Sequence, residues 1–171
     1  MKERLRRPDT MPLDIDIILE APAWESVANL EALARSAAHA AIEGADAEVA
    51  DSETLSILFC DDARIQFLNR DFRGFDKPTN VLSFPAPDVP GVQCLGDIAI
   101  AWETVARETE DEGKSLADHV SHLIVHGVLH LLGYDHESDE EAEEMEALER
   151  LVLERLGIDD PYAEVASDPT P

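Results

Sequence analysis

Between residues 126 and 136 the chain reads HGVLHLLGYDH, with histidines at 126, 130 and 136. His126 and His130 are four apart, so on a helix both rings leave the same face and can converge on one ion. Gly133 supplies the left-handed turn with which helices commonly end, and that reversal brings His136 back toward the same point. Three neutral imidazoles suit zinc, with a fourth position left open, the mark of a catalytic rather than a structural ion. Nickel and cobalt are accepted by the same donor set.

Three nearby residues need a separate reading. The Cα atoms of His122 and His130 would lie about 12 Å apart at helical rise. Histidines on three successive turns do not easily share one ion, so His122 reads better as a support, substrate-facing or core residue than as third ligand in place of His136. His119, at the start of the helix, reads as exposed. Asp135 either orients a ligand histidine, as carboxylates behind metal ligands do, or fixes the turn.

The string matches the metzincin protease pattern H-E-x-x-H-x-x-G-x-x-H at every fixed place but one. In those proteases the glutamate takes a proton from the metal-activated water, and here Gly127 stands in its position. Peptide hydrolysis without that base is hard. Phosphodiester cleavage asks instead for neutralisation of charge on phosphoryl oxygens, which a metal and an arginine supply. In RNA the 2′-hydroxyl is also an internal nucleophile, so attack by water and attack by that hydroxyl both stay open. Arg73, next to Gly74 in an open stretch, is the candidate for phosphate contact, because a guanidinium offers two parallel hydrogen bonds. Arg64 and Arg70 read as helix-surface charges, and Lys77 as a residue that steers RNA or merely sits at the surface.

The elements that must position these residues follow from periodicity. LDIDIIL (13–19), ETLSILFC (53–60), NVLSFP (80–85) and LGDIAIAW (95–102) read as strands. Helices are expected over 24–42, 61–71, 103–112, 115–132 and 139–156. The last should turn Met145, Leu148, Leu151, Val152 and Leu156 inward and keep its acidic residues in solvent. Strands interleave with helices and then helices dominate. The expected fold is α+β, a small mixed sheet covered by helices, with the metal site on a helix and the turn after it. A single domain over 13–157 is expected, between a flexible extension (1–12) and a disordered tail (158–171).

Composition bounds the function. No apolar run approaches the ~18 residues of a membrane span, and the basic N-terminus lacks the apolar stretch of a secretory signal, so the chain reads as cytoplasmic. Cys60 and Cys94 form no C-x-x-C pair and read as buried thiols. With 38 acidic against 13 basic residues, the net charge of −25 argues against indiscriminate nucleic-acid binding. The acidity is uneven, however. Residues 137–149 carry eight acidic side chains, whereas Arg64, Arg70, Arg73 and Lys77 fall within fourteen residues.

FRGFDKPTNVLSFP (72–85), LGDIAI (95–100) and HLIVHGVLHLLGYDHESDEEAEEMEALE (122–149) together resemble the YbeY family of bacterial endoribonucleases. The resemblance spans about Leu13 to Gly157 in family order. It implies a zincin-like fold with one zinc per chain on His126, His130 and His136, and single-strand-specific RNA cleavage. It further implies maturation of the 3′ end of 16S ribosomal RNA and ribosome quality control, with the small ribosomal subunit and the GTPase Era as partners. The arginine linked to activity in the family's loop motif falls on Arg73. Two alternatives stand beside this reading: a metalloprotease-like hydrolase, and a non-catalytic ribosome-assembly factor with a structural zinc.

Overall fold

The computed structural model describes residues 13–47, 53–87, 89–90 and 94–162. Four strands, β1 (Leu13–Leu19), β2 (Glu53–Cys60), β3 (Val81–Pro85) and β4 (Cys94–Ala101), form one sheet in the order β1-β2-β4-β3. The first three in that order run parallel, and β3 returns antiparallel at the edge. Five helices complete the fold: α1 (Leu30–Gly44), α2 (Asp62–Arg73), α3 (Trp102–Glu112), α4 (Leu116–Leu131) and α5 (Asp139–Arg155). The expected mixed sheet covered by helices is present.

Alternation decides which way each strand faces. Ile98 and Ile100 of β4, with Leu55, Ile57 and Phe59 of β2, are fully buried and join one core with α1 and α4. The opposite sheet face is only partly covered, by α2 through Ile65 and Leu68. Apolar residues surround α4, with Val120, Ile124, Val125, Val128 and Leu129 all at 0% exposure, which suits a helix packed on several sides.

The first helix starts later than its periodicity predicts. Pro22–Ser26 forms a separate 3-10 turn, and α1 begins at Leu30 after Asn29 adopts a left-handed conformation (φ 57°). Trp24 imposes the break. Its indole is buried, packs edge-on against Phe59 and Trp102, and donates to the Cys60 carbonyl at 2.8 Å. A buried indole N–H needs such an acceptor, and that long-range bond outweighs local helix preference.

Three of the other four helix starts obey local capping, α3 after Ala101 being the exception. Asp61, Ser115 and Ser138 accept from the backbone N–H of Arg64, Asp118 and Glu141 respectively. On α5 the phase differs from expectation. Leu151 is 41% exposed, whereas Glu149 and Leu153 are fully buried beside Met145 and Val152. Residues 158–162, assigned from composition to a disordered tail, lie against the domain. Ile158 packs on the core and the Tyr162 hydroxyl reaches Glu149 at 2.6 Å. The extension 1–12 and the tail 163–171 lie outside the described residues. Cys60 is buried as expected, and Cys94 only half so.

Candidate metal centre

His126 and His130 leave α4 on one face, and their Nε2 atoms lie 3.1 Å apart. The chain then turns at Gly133 (φ 104°), held by Tyr134 N–H donating to the Leu129 carbonyl. Without a Cβ that conformation carries little strain. The turn returns His136, whose ring centroid is 5.1 Å from that of His130 and 5.9 Å from that of His126. One nitrogen from each of the three rings falls within 4.8 Å of the others. The structure thus gathers the three residues that the spacing singled out.

Outward hydrogen bonds set the tautomers. His130 Nδ1 faces the Tyr134 carbonyl at 3.0 Å, an acceptor only, so Nδ1 carries the proton. His126 Nδ1 faces the Glu149 carboxylate at 2.7 Å and is fixed the same way. Both Nε2 lone pairs then point at one another across 3.1 Å, an arrangement that calls for a cation between them. Two nitrogens on a tetrahedral ion with bonds of ~2 Å lie roughly 3.3 Å apart. The donor set therefore fits zinc. Burial and the neighbouring His126 also lower the His130 pKa, which keeps its lone pair available at neutral pH.

Glu149 is the residue that sequence reasoning missed. It has no exposed surface, yet receives His126, His122 at 2.8 Å and the Tyr162 hydroxyl. Burial pushes its carboxyl up, but the hydrogen bonds from His122 and His126 outweigh burial and hold it at about 2, so it stays ionised. Tyr162 is correspondingly pushed up by burial and by the carboxylate it donates to. His122 supports the site through Glu149. Glu149, His122 and His126 also form a second group whose ligand atoms lie within 4.8 Å.

One reading of a neighbour is corrected, and one is decided between its two alternatives. His119 is 5% exposed and bonds to Glu108 at 2.8 Å rather than facing solvent. Glu108 also accepts from Asn80 at the start of β3, which ties α3 to the loop before that strand. Asp135 makes no described hydrogen bond to a ligand ring. Its Oδ1 accepts from the His136 N–H at 2.8 Å, so it fixes the turn.

Arg73 ends α2, and Gly74 (φ 81°) turns the chain away from it. Asn69, nearly buried, braces the following loop by donating to the Lys77 carbonyl at 2.9 Å. The Arg73 guanidinium donates to the Ser83 carbonyl on edge strand β3 and lies over the Phe84 ring at 5.3 Å. It borders a cavity of about 500 Å³ together with Ser83, His126, His130 and His136. Arg64 pairs with Glu20 and Arg70 with Asp71, consistent with surface charges. Among the described residues, Arg73 and Lys77 have no carboxylate partner, on a chain with 38 acids.

Position 127, where the proteases carry their glutamate, is tightly packed. A Cβ on Gly127 would lie 3.0 Å from Ile98 Cδ1 and 3.2 Å from Ser83 Oγ. The helix here rests on β3 and β4, and a side chain would require Ile98 and Ser83 to give by a few tenths of an ångström.

The mixed sheet, with two histidines on α4 and a third on the turn after it, defines a zincin-like α+β protein. Residues 21–157 match the sequence model of the family described as Endoribonuclease YbeY. Curated proteins named Endoribonuclease YbeY are similar along most of the chain. That of Methylocella silvestris is 56% identical over 88% of this chain and 86% of its own length. That of Azorhizobium caulinodans is 52% identical over 88% and 97%. The solution structure of TM1509 from Thermotoga maritima shares the fold, with a TM-score of 0.52 and 24% identity over 92% of this chain and 97% of that one. The chain belongs to the Endoribonuclease YbeY family.

Proposed function

We propose that this protein is a metal-dependent endoribonuclease that holds one zinc ion per chain on His126, His130 and His136. The observation that carries the reading is the pairing, in one cavity, of two fixed imidazole lone pairs with an arginine free of any described acid. Bound zinc would supply Lewis-acid stabilisation of charge on the reacting phosphate.

The chain's own residues supply the rest. Arg73 places its positive charge at the cavity and binds a phosphate, neutralising charge that grows as the phosphodiester bond breaks. Glu149 and the Tyr134 carbonyl fix ring orientation. The family name supports RNA as substrate, and the resemblance motivates the finer role: maturation of the 3′ end of 16S ribosomal RNA and ribosome quality control, with the small subunit and Era as partners, in the cytoplasm. No described helix is long and apolar enough to cross a membrane.

A peptidase is disfavoured on two counts. Gly127 offers no proton acceptor, and a side chain there would press on Ile98 and Ser83, while Arg73 occupies a carbonyl of the edge strand along which a peptide would pair.

The test compares the purified protein with His130→Ala on a ribosomal RNA fragment bearing the unprocessed 3′ end, with zinc quantified in both. Cleavage by the parent alone is expected, and the product ends then name the nucleophile: a 5′-phosphate for water, a cyclic phosphate for the 2′-hydroxyl. Equal cleavage by both sinks the site assignment. Zinc without cleavage in the parent would favour the assembly-factor role.

A further inference from the structure

On the sheet face opposite the main core lies a second hollow, of about 430 Å³, between α2 and the strands. Ile18, Leu58, Leu68, Phe72 and Phe84 line it. Phe72 is 66% exposed and Ile18 43%, a large apolar surface to leave open on so charged a chain. The Phe72 and Phe84 rings meet edge to face with centroids 5.6 Å apart, so an aromatic wall is already assembled.

This groove and the histidine cavity are two sides of one strand. Ser83 sends its hydroxyl toward α4, and the next residue, Phe84, sends its ring toward α2. Arg73 spans the edge between them, bonded to the Ser83 carbonyl and stacked over Phe84. One guanidinium therefore borders the histidine cavity and lies over an aromatic wall of the groove. We propose that the groove is a base-binding subsite for single-stranded RNA: a nucleobase flanking the cleaved phosphate stacks on Phe72 and Phe84 while Arg73 and Lys77 hold its backbone. The proposal rests on the ribonuclease reading of the histidine site.

Charge selects the occupant. Asp97 lines the groove and repels a phosphate there, whereas Arg73 and Lys77, neither of them paired with a described acid, stand on its histidine-cavity side and in the loop after α2. A flat uncharged base with its phosphate outside satisfies both demands. Stacking on phenylalanine accepts any base, so the subsite selects for strandedness rather than sequence. A paired base cannot enter, because it would have to leave its own helix stack.

The test measures the anisotropy of a fluorescein-labelled 2′-O-methyl octanucleotide, and of the same strand in a duplex, with the parent, Phe72→Ala, Phe72→Trp and Leu151→Ala. Leu151, exposed on α5, serves as the control. Phe72→Ala should weaken single-strand binding by at least about fivefold, the lower end for loss of one stacked base. Phe72→Trp should restore it, duplex binding should not change, and Leu151→Ala should match the parent. Equal affinity of parent and Phe72→Ala, or no binding by the parent, overturns the subsite and leaves the groove to a polypeptide. Cleavage of the unmodified ribosomal RNA fragment by the parent in the first case keeps the nuclease reading alive. Phe72-dependent binding without cleavage of that unmodified fragment would keep the subsite and remove the nuclease.

Discussion

Glu149 Oε2 lies 2.7 Å from His126 Nδ1, so a carboxylate on α5 aims a histidine on α4 at the cavity. Without that acceptor the imidazole is free to take the other tautomer and turn its N–H toward the metal. Glu149→Gln should lower zinc affinity by about 10- to 100-fold, measured by competition with a chromophoric chelator. Unchanged affinity would mean that the carboxylate serves packing alone.

Tyr162 stands one step further out. Phenylalanine at this position keeps the ring, which faces His122 at 5.6 Å, and removes the hydrogen bond to Glu149. Because the acceptor is ionised, the loss should cost about 1.5–3 kcal/mol, read from urea unfolding. Zinc affinity should fall by less than in Glu149→Gln, since His126 keeps its own bond to the carboxylate.

At Gly127 the usual helix rule should fail. Glycine to alanine in a helix interior ordinarily stabilises by ~1 kcal/mol. Here the new methyl would press on Ile98 and Ser83, and overpacking costs typically 1–3 kcal/mol. Gly127→Ala should therefore show no gain in melting temperature, and Gly127→Glu a clear drop with no peptidase activity. A more stable Gly127→Ala would contradict the packing.

Cys60 should resist labelling. Burial first, and then the nearby Glu20, push its thiol up to about 12. An acid whose pKa is raised on folding stabilises the native state fully below its unfolded pKa and loses that contribution as pH rises through the folded value. Alkaline sensitivity should thus set in above about pH 8.5 and diminish in Cys60→Ala. A thiol reagent at pH 8 should count Cys94 in the native protein and both cysteines in urea. Rapid native labelling of both would refute the burial.

What the sequence revealed depended on the range of the interaction. His126, His130 and the Gly133 turn are fixed by helix geometry over a few residues, and the structure places them together as that geometry requires. Glu149 is one of eight acids in thirteen residues, and nothing local marks it as buried. Its helical phase with Met145, Val152 and Leu153 was the available signal, and misplacing Leu151 on the inner face obscured it. The late start of α1 depends on Trp24 finding the Cys60 carbonyl 36 residues away. The insertion of β4 between β2 and β3 is equally non-local. His119 seemed exposed because Glu108 lies on another helix.

The contact of Gly127 with Ile98 and Ser83 also bears on descent. A zincin-like scaffold would turn from cutting phosphodiesters to cutting peptides by a single codon change if only the missing base separated the two. Here the first step of that path lands 3.0 Å from Ile98 and 3.2 Å from Ser83, so the strand side chains beneath must give way before a new side chain is seated. Any change of chemistry at this position therefore draws on the packing of the strand beneath the helix as well as on the new base.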